Sequence, residues 1–418
     1  MLRRELLRAF CGFGLTVPGA RRGLAPLPPV VRAGAAKVDI TPDKPVALDG
    51  YLEPENRVSE GVHDRVYARA IALRHGERRL VLVSCDLCTF PLADYFERAI
   101  AERHGLGPAE LMLCATHTHS GPLVTLNTRF PANLEYTKSL TGLLATAVSR
   151  ALQAVAPAHL SVGRGRSAVG VNRRKLLPGG GVEMAPNPEG TVDPEVLVLL
   201  LSRPGGGPFA ALFDYACHSR SLGPPNRLLS GDILGLAEQA VEKAMPRLTL
   251  AAAFAGASAD VDPASVVNGF ESVGGAPPET VRLGTVLGHD VLRAIENARP
   301  LPPPAAFRTT LARVGLPPRW AGTTRSVGVT VATAGELALV GLDCEASVEI
   351  GLAIKAASPF PATFVISNCN GASGYLPVAR QHEEGGYEVD RTGFAPTAAD
   401  VLVRETLGLL SKLRGDPA

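Results

Sequence analysis

Apolar positions along the chain follow two alternating rhythms. Short unbroken runs, such as "LVLV" at 80–83, "VLVLLL" at 196–201 and "LALVGL" at 337–342, have the length and composition of strands buried on both faces. Between them lie longer stretches whose apolar residues recur every three or four positions, the spacing of an amphipathic helix. The pattern predicts strands over 68–73, 80–84, 111–115, 160–163, 196–202, 210–216, 250–255, 338–342 and 362–367. It predicts helices over 91–104, 134–154, 233–245, 279–298, 347–357 and 397–412. Such alternation defines an α/β fold with helix-covered sheets. Short Gly-containing turns inside 68–84 and 196–216 make neighbouring strands antiparallel, so the sheets are expected to be mixed.

A single domain is expected over residues 33–415, behind a basic, Pro-rich tail at 1–32. No period of 20 to 50 residues repeats, which argues against a solenoid or propeller. Two loops are expected: the Gly/Pro-rich 179–190, and 257–278, which has little periodicity. The Gly-rich runs at 178–181 and 203–208 lack the helix and Lys of a phosphate loop and read as turns.

Composition narrows the function classes. Among 418 residues, 46% are hydrophobic and 20% charged, and the formal net charge is +2, which gives no basis for a nucleic-acid or acidic-membrane partner. No apolar run reaches the length of a membrane span. The start "MLRRELLRAFCGFGLTVPGA" resembles a twin-arginine export signal without a small-x-small cleavage site, so export and a cytoplasmic place both stay open. Seven cysteines at irregular spacing do not form a disulfide framework. Cys85 and Cys88 read as small buried thiols in strands, and Cys114, Cys217, Cys344 and Cys369 as packing behind the motifs below.

The chain holds nine His, and two of them lie one residue apart in "LCATHTHSGP", residues 113–122. Alternate side chains of a strand share a face, so His117 and His119 at the end of an apolar strand are expected to point together. A metal site and an acid/base pair both fit that arrangement. A second apolar strand ends in His218, within "FAALFDYACHSRSLG", and a third runs through "LALVGLDC" to Glu345. Zinc is commonly held by such His and carboxylate ligands with one position left open.

The segments "ATHTHSGP", "ACHSRSLG", "SGD", "GLDCEASVEIGLAIK" and "NGASGYLPVARQHEEGGYEV" resemble, in order, the catalytic domain of the neutral/alkaline ceramidase family. Those enzymes are zinc-dependent amidases that cleave the N-acyl bond of ceramide. The resemblance implies one Zn2+ per chain, with His117, His218, Glu345 and Tyr375 as ligands. It places His119 near the substrate, as a group able to move a proton to the leaving amine, and Arg173 and Tyr387 around the scissile carbonyl. Zinc so held lowers the pKa of its water towards ~7, and each oxyanion donor contributes on the order of 3 kcal/mol.

The chain also departs from the family. Where its members carry Gly-Asp-x-Ser-Pro, residues 258–263 read "SADVDP" and Asp262 stands in the Ser position. A carboxylate is not an activated hydroxyl, so attack by metal-bound water is expected, with Asp262 shaping the pocket. Glu345 sits in "DCEAS" rather than after Pro-Gly, and the likeness does not extend to the family's C-terminal immunoglobulin-like domain. Aromatics are only 5%, so the chemistry is firmer than a long-chain lipid substrate. Two other readings stay open: a zinc hydrolase of the same fold acting on another amide, an ester or a lactone, and a homologue without turnover that serves binding or structure. A (β/α)8 metal hydrolase would carry H-x-H on its first strand, whereas several strands precede His117. The H-x-H-x-D-H pattern fails at Gly121 and Pro122.

Overall fold

Most strands are apolar on both faces because each serves two cores. Leu80 and Leu82 face one cluster, and Val81 and Val83 face another; Leu197 and Leu199 alternate in the same way with Val196 and Val198. The computed structural model describes residues 31–264 and 278–415.

The first unit runs β1 (Arg32–Asp39), β2 (Tyr67–His75), β3 (Arg78–Cys85), α1 (Ala93–His104), β4 (Leu111–Ala115) and α2 (Pro131–Gln153). Strands β1, β2 and β3 pair antiparallel in order, and β4 returns parallel beside β3. The second unit holds β5 (His159–Arg166), an inserted hairpin β6 (Gly170–Leu176) and β7 (Val182–Asn187), then β8 (Glu195–Ser202), β9 (Pro208–Tyr215), α3 (Asp232–Ala244) and β10 (Leu250–Ala255). A short β11 (Val261–Pro263) and α4 (Pro278–Glu296) follow. Here β5, β8 and β9 are antiparallel neighbours and β10 lies parallel to β9.

The third unit runs β12 (Phe307–Leu316), β13 (Arg325–Ala334), β14 (Leu337–Leu342), β15 (Glu345–Ala346), α5 (Val348–Ala357) and β16 (Ala362–Ile366). It ends with β17 (Tyr375–Leu376), α6 (Ala379–Glu384), α7 (Tyr387–Arg391) and α8 (Ala398–Arg414). Again three antiparallel strands are followed by a parallel fourth.

Insertions apart, the order β-β-β-α-β-α recurs in all three units. The inner faces of the three sheets meet in one central core that includes Ile71, Leu82, Leu199, Leu212, Phe254, Leu339 and Phe364. Each outer face packs on its own pair of helices. Even the close contacts repeat: a Cβ at Gly34 of β1 would stand 2.1 Å from the Ala151 carbonyl of α2, and one at Gly163 of β5 1.9 Å from the Ala294 carbonyl of α4. Both glycines are needed for close strand–helix approach rather than for a turn.

The fold expected from the pattern, mixed sheets covered by helices, is the one found. Three local expectations are corrected. Residues 182–187, expected in a loop, form strand β7, paired antiparallel with β6 around a Gly-rich turn. Cys88 lies beyond the end of β3 rather than in a strand, although it is buried as expected. Strands β1, β12 and β13 were not anticipated; Lys37 interrupts the apolar pattern of β1, and Arg308 and Arg313 interrupt that of β12. The tail up to residue 30 and most of the loop expected at 257–278 lie outside the described residues.

Candidate metal centre and active site

Three strand ends, one per unit, supply the centre. His117 follows β4, His218 follows β9 and Glu345 opens β15 just after β14. His117 Nε2 stands 3.1 Å and His218 Nε2 3.7 Å from Glu345 Oε2, and the two imidazole centroids are 4.6 Å apart. The three ligand atoms lie within 4.8 Å of one another. Each imidazole is turned by its other nitrogen: His117 Nδ1 pairs with the Cys88 carbonyl at 2.8 Å and His218 Nδ1 with the Ser258 carbonyl at 2.8 Å. With Nδ1–H donating to a carbonyl, each Nε2 keeps its lone pair aimed at Glu345, the outer support usual for metal-bound histidine.

His117 reaches this position by a route the strand pattern does not show. Strand β4 ends at Ala115, and His117 has φ 60°, in the left-handed region. The His117 and His119 rings are edge to face at 5.0 Å, so they do converge as expected. A backbone turn brings them together rather than the strand pleat. Thr118 N–H donates to the Leu87 carbonyl and His119 N–H to the Ser219 carbonyl, which fixes that turn against units one and two. On the far side of His218, Asp232, itself at φ 52°, accepts from the backbone N–H groups of Ser221, Leu222 and Ile233.

The centre fits a divalent ion. His117 Nε2 and Glu345 Oε2 are buried and make no hydrogen bond among the described residues, an expensive arrangement unless something else satisfies them. Burial opposes charge on both groups, but Glu345 raises the His117 pKa and His117 holds the Glu345 pKa well below its usual value. The proton that the pair favours sits where a cation would. His218 is different: burial, helped by Arg173, pushes it down to about 4, so it stays a neutral donor.

Tyr375, in β17, pairs in parallel register with Glu345 of β15, which brings the phenol to the same centre. Burial and the Glu345 carboxylate push its pKa well up while Arg173, against its hydroxyl, pulls the other way. Tyr387 stands further out, 37% exposed, with its ring 5.6 Å from that of Tyr375. Arg173, on β6, is buried; it donates from Nε to Glu388 at 2.8 Å and from Nη1 to Asp262 at 3.2 Å. Its Nη1 is also 3.4 Å from His218 Nε2, and its Nη2 has no partner among the described residues. That leaves Nη2 as a donor beside the centre.

Asp262, on β11, is fully engaged. Arg220 grips it with Nε at 2.7 Å and with Nη2, while Arg173 holds it from the other side. Burial alone would raise its pKa, but the two guanidinium groups hold it far below the usual carboxylate range. Its oxygens are thus committed to holding two arginines. His119 is 7% exposed and neither ring nitrogen has a partner among the described residues. Burial and the neighbouring His117 and His218 push its pKa well down, so it stays neutral.

All eight residues singled out from the sequence gather here. Arg220 and Glu388, which hold Asp262 and Arg173, were missed. Both lie inside the quoted motifs, but only the ion pairs distinguish them from surface charges. Cys114, Cys217, Cys344 and Cys369, expected to pack behind the site, are buried.

A helix-covered mixed α/β protein with a His/His/Glu cluster at its strand ends is the class that fold and site define. The family model for the N-terminal region of neutral/alkaline non-lysosomal ceramidase matches residues 31–271, and the chain belongs to that family. Neutral ceramidase B of Dictyostelium discoideum is 29% identical over 234 residues, 50% of this chain and 31% of that protein. Neutral ceramidase of Pseudomonas aeruginosa is 30% identical over 225 residues, 49% of this chain and 32% of that protein. The match thus spans about a third of the length of these relatives. The crystal structure of neutral ceramidase from Pseudomonas aeruginosa superposes with a TM-score of 0.75 at 19% identity, over 93% of this chain and 75% of that one. A ceramidase complexed with C2 gives a TM-score of 0.76 at 18% identity, over 93% and 76%.

Proposed function

We propose that this chain is a zinc-dependent hydrolase of N-acyl amides, with His117, His218, Glu345 and Tyr375 holding one zinc ion. The observation that carries the reading is the pair of imidazoles whose Nδ1 atoms are tied to carbonyls while both Nε2 atoms converge on a buried, unpartnered carboxylate oxygen. Zinc held there supplies a Lewis acid for an acyl oxygen and an activated water. The chain's own groups do the rest. Arg173 Nη2, with Tyr387 at the mouth, donates to the oxygen that gains charge as the carbonyl is attacked. His119, neutral and unpartnered, takes a proton and returns it to the leaving amine. Asp262 keeps Arg173 in place and, saturated by two guanidinium groups, does not act as nucleophile.

Membership of the ceramidase family supports a lipid amide as substrate. The Asp262–Arg220 pair, standing where the family has a serine, supports a second reading: the same chemistry on a different amide, an ester or a lactone. A panel of acyl amides, esters and lactones separates the two. Metal analysis of the wild-type protein and His218→Ala, with acyl-amide hydrolysis measured on both, tests the proposal itself. The variant is expected to lose its zinc and at least a hundredfold of its activity, since loss even of an outer support costs ~10–100-fold. Equal zinc and equal rates in the two would sink the reading.

A further inference from the structure

The segment 49–57 crosses the centre beside His119 and is held firmly. Arg57 is 6% exposed and spends its guanidinium on backbone carbonyls: Nη1 on Asp49 at 3.0 Å, Nη2 on His119 at 3.1 Å and Asn226 at 3.2 Å, and Nε on Pro224 at 3.1 Å. Gly50, at φ 97°, passes so near the imidazole that a Cβ there would stand 2.4 Å from His119 Cγ. Tyr51 then lays its ring edge-on to His119, centroids 4.9 Å apart at 71°, and the Arg57 guanidinium lies over the phenol ring at 4.6 Å. Among the described residues the buried Tyr51 hydroxyl has no partner, nor do the two nitrogens of the imidazole it packs on. Leaving three adjacent polar atoms unpaired is costly unless an incoming molecule satisfies them.

We propose that Tyr51 is a further substrate-contacting residue, whose hydroxyl donates a hydrogen bond to the amine half of a bound amide while its ring fixes the imidazole of His119. The inference rests on the hydrolase reading above. Burial lifts the phenol to about 12, so the donor proton is present at any working pH. Arg57 already gives its donors to the backbone, and so serves to hold the loop, whereas the Tyr51 hydroxyl is left for an incoming group. Contact with His119 places that group beside the proton acceptor, where the leaving nitrogen is expected.

Two variants of the full chain, loaded with zinc, test it. Tyr51→Phe keeps the ring and removes the hydroxyl; Tyr51→Ala removes both. On an N-acyl amide that the wild type cleaves, Tyr51→Phe should lower kcat/KM roughly three- to tenfold, the range of one hydrogen bond, with zinc content and the pH profile of kcat unchanged. Tyr51→Ala should lower kcat/KM further than Tyr51→Phe, because the imidazole of His119 also loses its packing partner. Calorimetric binding of a medium-chain acyl hydroxamate, whose N–OH occupies the amine side, gives a readout that needs no turnover; Tyr51→Phe should weaken it by a similar factor. Unchanged kcat/KM and unchanged hydroxamate affinity in Tyr51→Phe would overturn the assignment. Should the wild type cleave no amide while the hydroxamate still separates the variants, the hydrolase reading falls and the role of Tyr51 as a ligand contact stands.

Discussion

At the scale of the residue, the departure at position 262 has a physical explanation. A buried carboxylate gripped by Arg220 and Arg173 is a structural anchor, and its removal leaves two buried cations without their counter-charge. Asp262→Ser, which restores the hydroxyl found in the family, is therefore expected to destabilise the protein by about 3–5 kcal/mol rather than to raise turnover. Urea unfolding and a rate measurement on the same preparation check both halves of that statement. Asp232 makes a second case. Burial raises its pKa from 3.8 to about 6 against the pull of three backbone N–H groups. The folded state binds that proton more tightly than the unfolded chain, so the contribution to stability is fully present below about pH 4, falls as pH rises to about 6 and is flat beyond. The two pKa units correspond to a loss on the order of 3 kcal/mol. Asp232→Asn should flatten that slope in unfolding curves recorded between pH 4 and 7.

At the scale of the element, the strand–helix contacts carry the load. The carbonyls of α2 and α4 lie where Cβ atoms would project from Gly34 and Gly163. Gly163→Ala should force β5 from α4 and cost about 1–3 kcal/mol or more, seen as a lower denaturation midpoint with an unchanged slope. Of the expected elements, the strands at 111–115 and 250–255 have the bounds found, and the helices differ by a few residues at their ends. Long, strongly periodic segments were legible because burial imposes their spacing. Strand β7 was not, because its exposed Glu183 and Met184 carry no apolar rhythm and its order comes from pairing with β6. The turn at His117 was not legible either, since a left-handed non-glycine residue has no local signature and is held by contacts with Leu87 and Ser219.

At the scale of the whole molecule, the candidate ligands come from all three β-β-β-α-β-α units: His117 from the first, His218 from the second, Glu345 and Tyr375 from the third. An ion bound there ties the units together in the folded state alone. Removing it with a chelator should lower the melting temperature, and adding back zinc should restore it, by an amount that grows with free zinc concentration. A melting temperature indifferent to chelation and to zinc would count against a bound ion.

The sequence by itself determined the fold class, most of the buried strands and helices, and eight of the residues that gather at the centre, because hydrophobic period and short motifs are local properties of the chain. Only the tertiary structure decided that three similar units enclose one central core, that a left-handed turn rather than a strand aims His117, and that Asp262 is locked between two arginines. Those features depend on contacts between residues tens to hundreds of positions apart, as in the pairs Arg173–Glu388 and His117–Glu345. No local pattern encodes such distances; they are set by how the sheets pack.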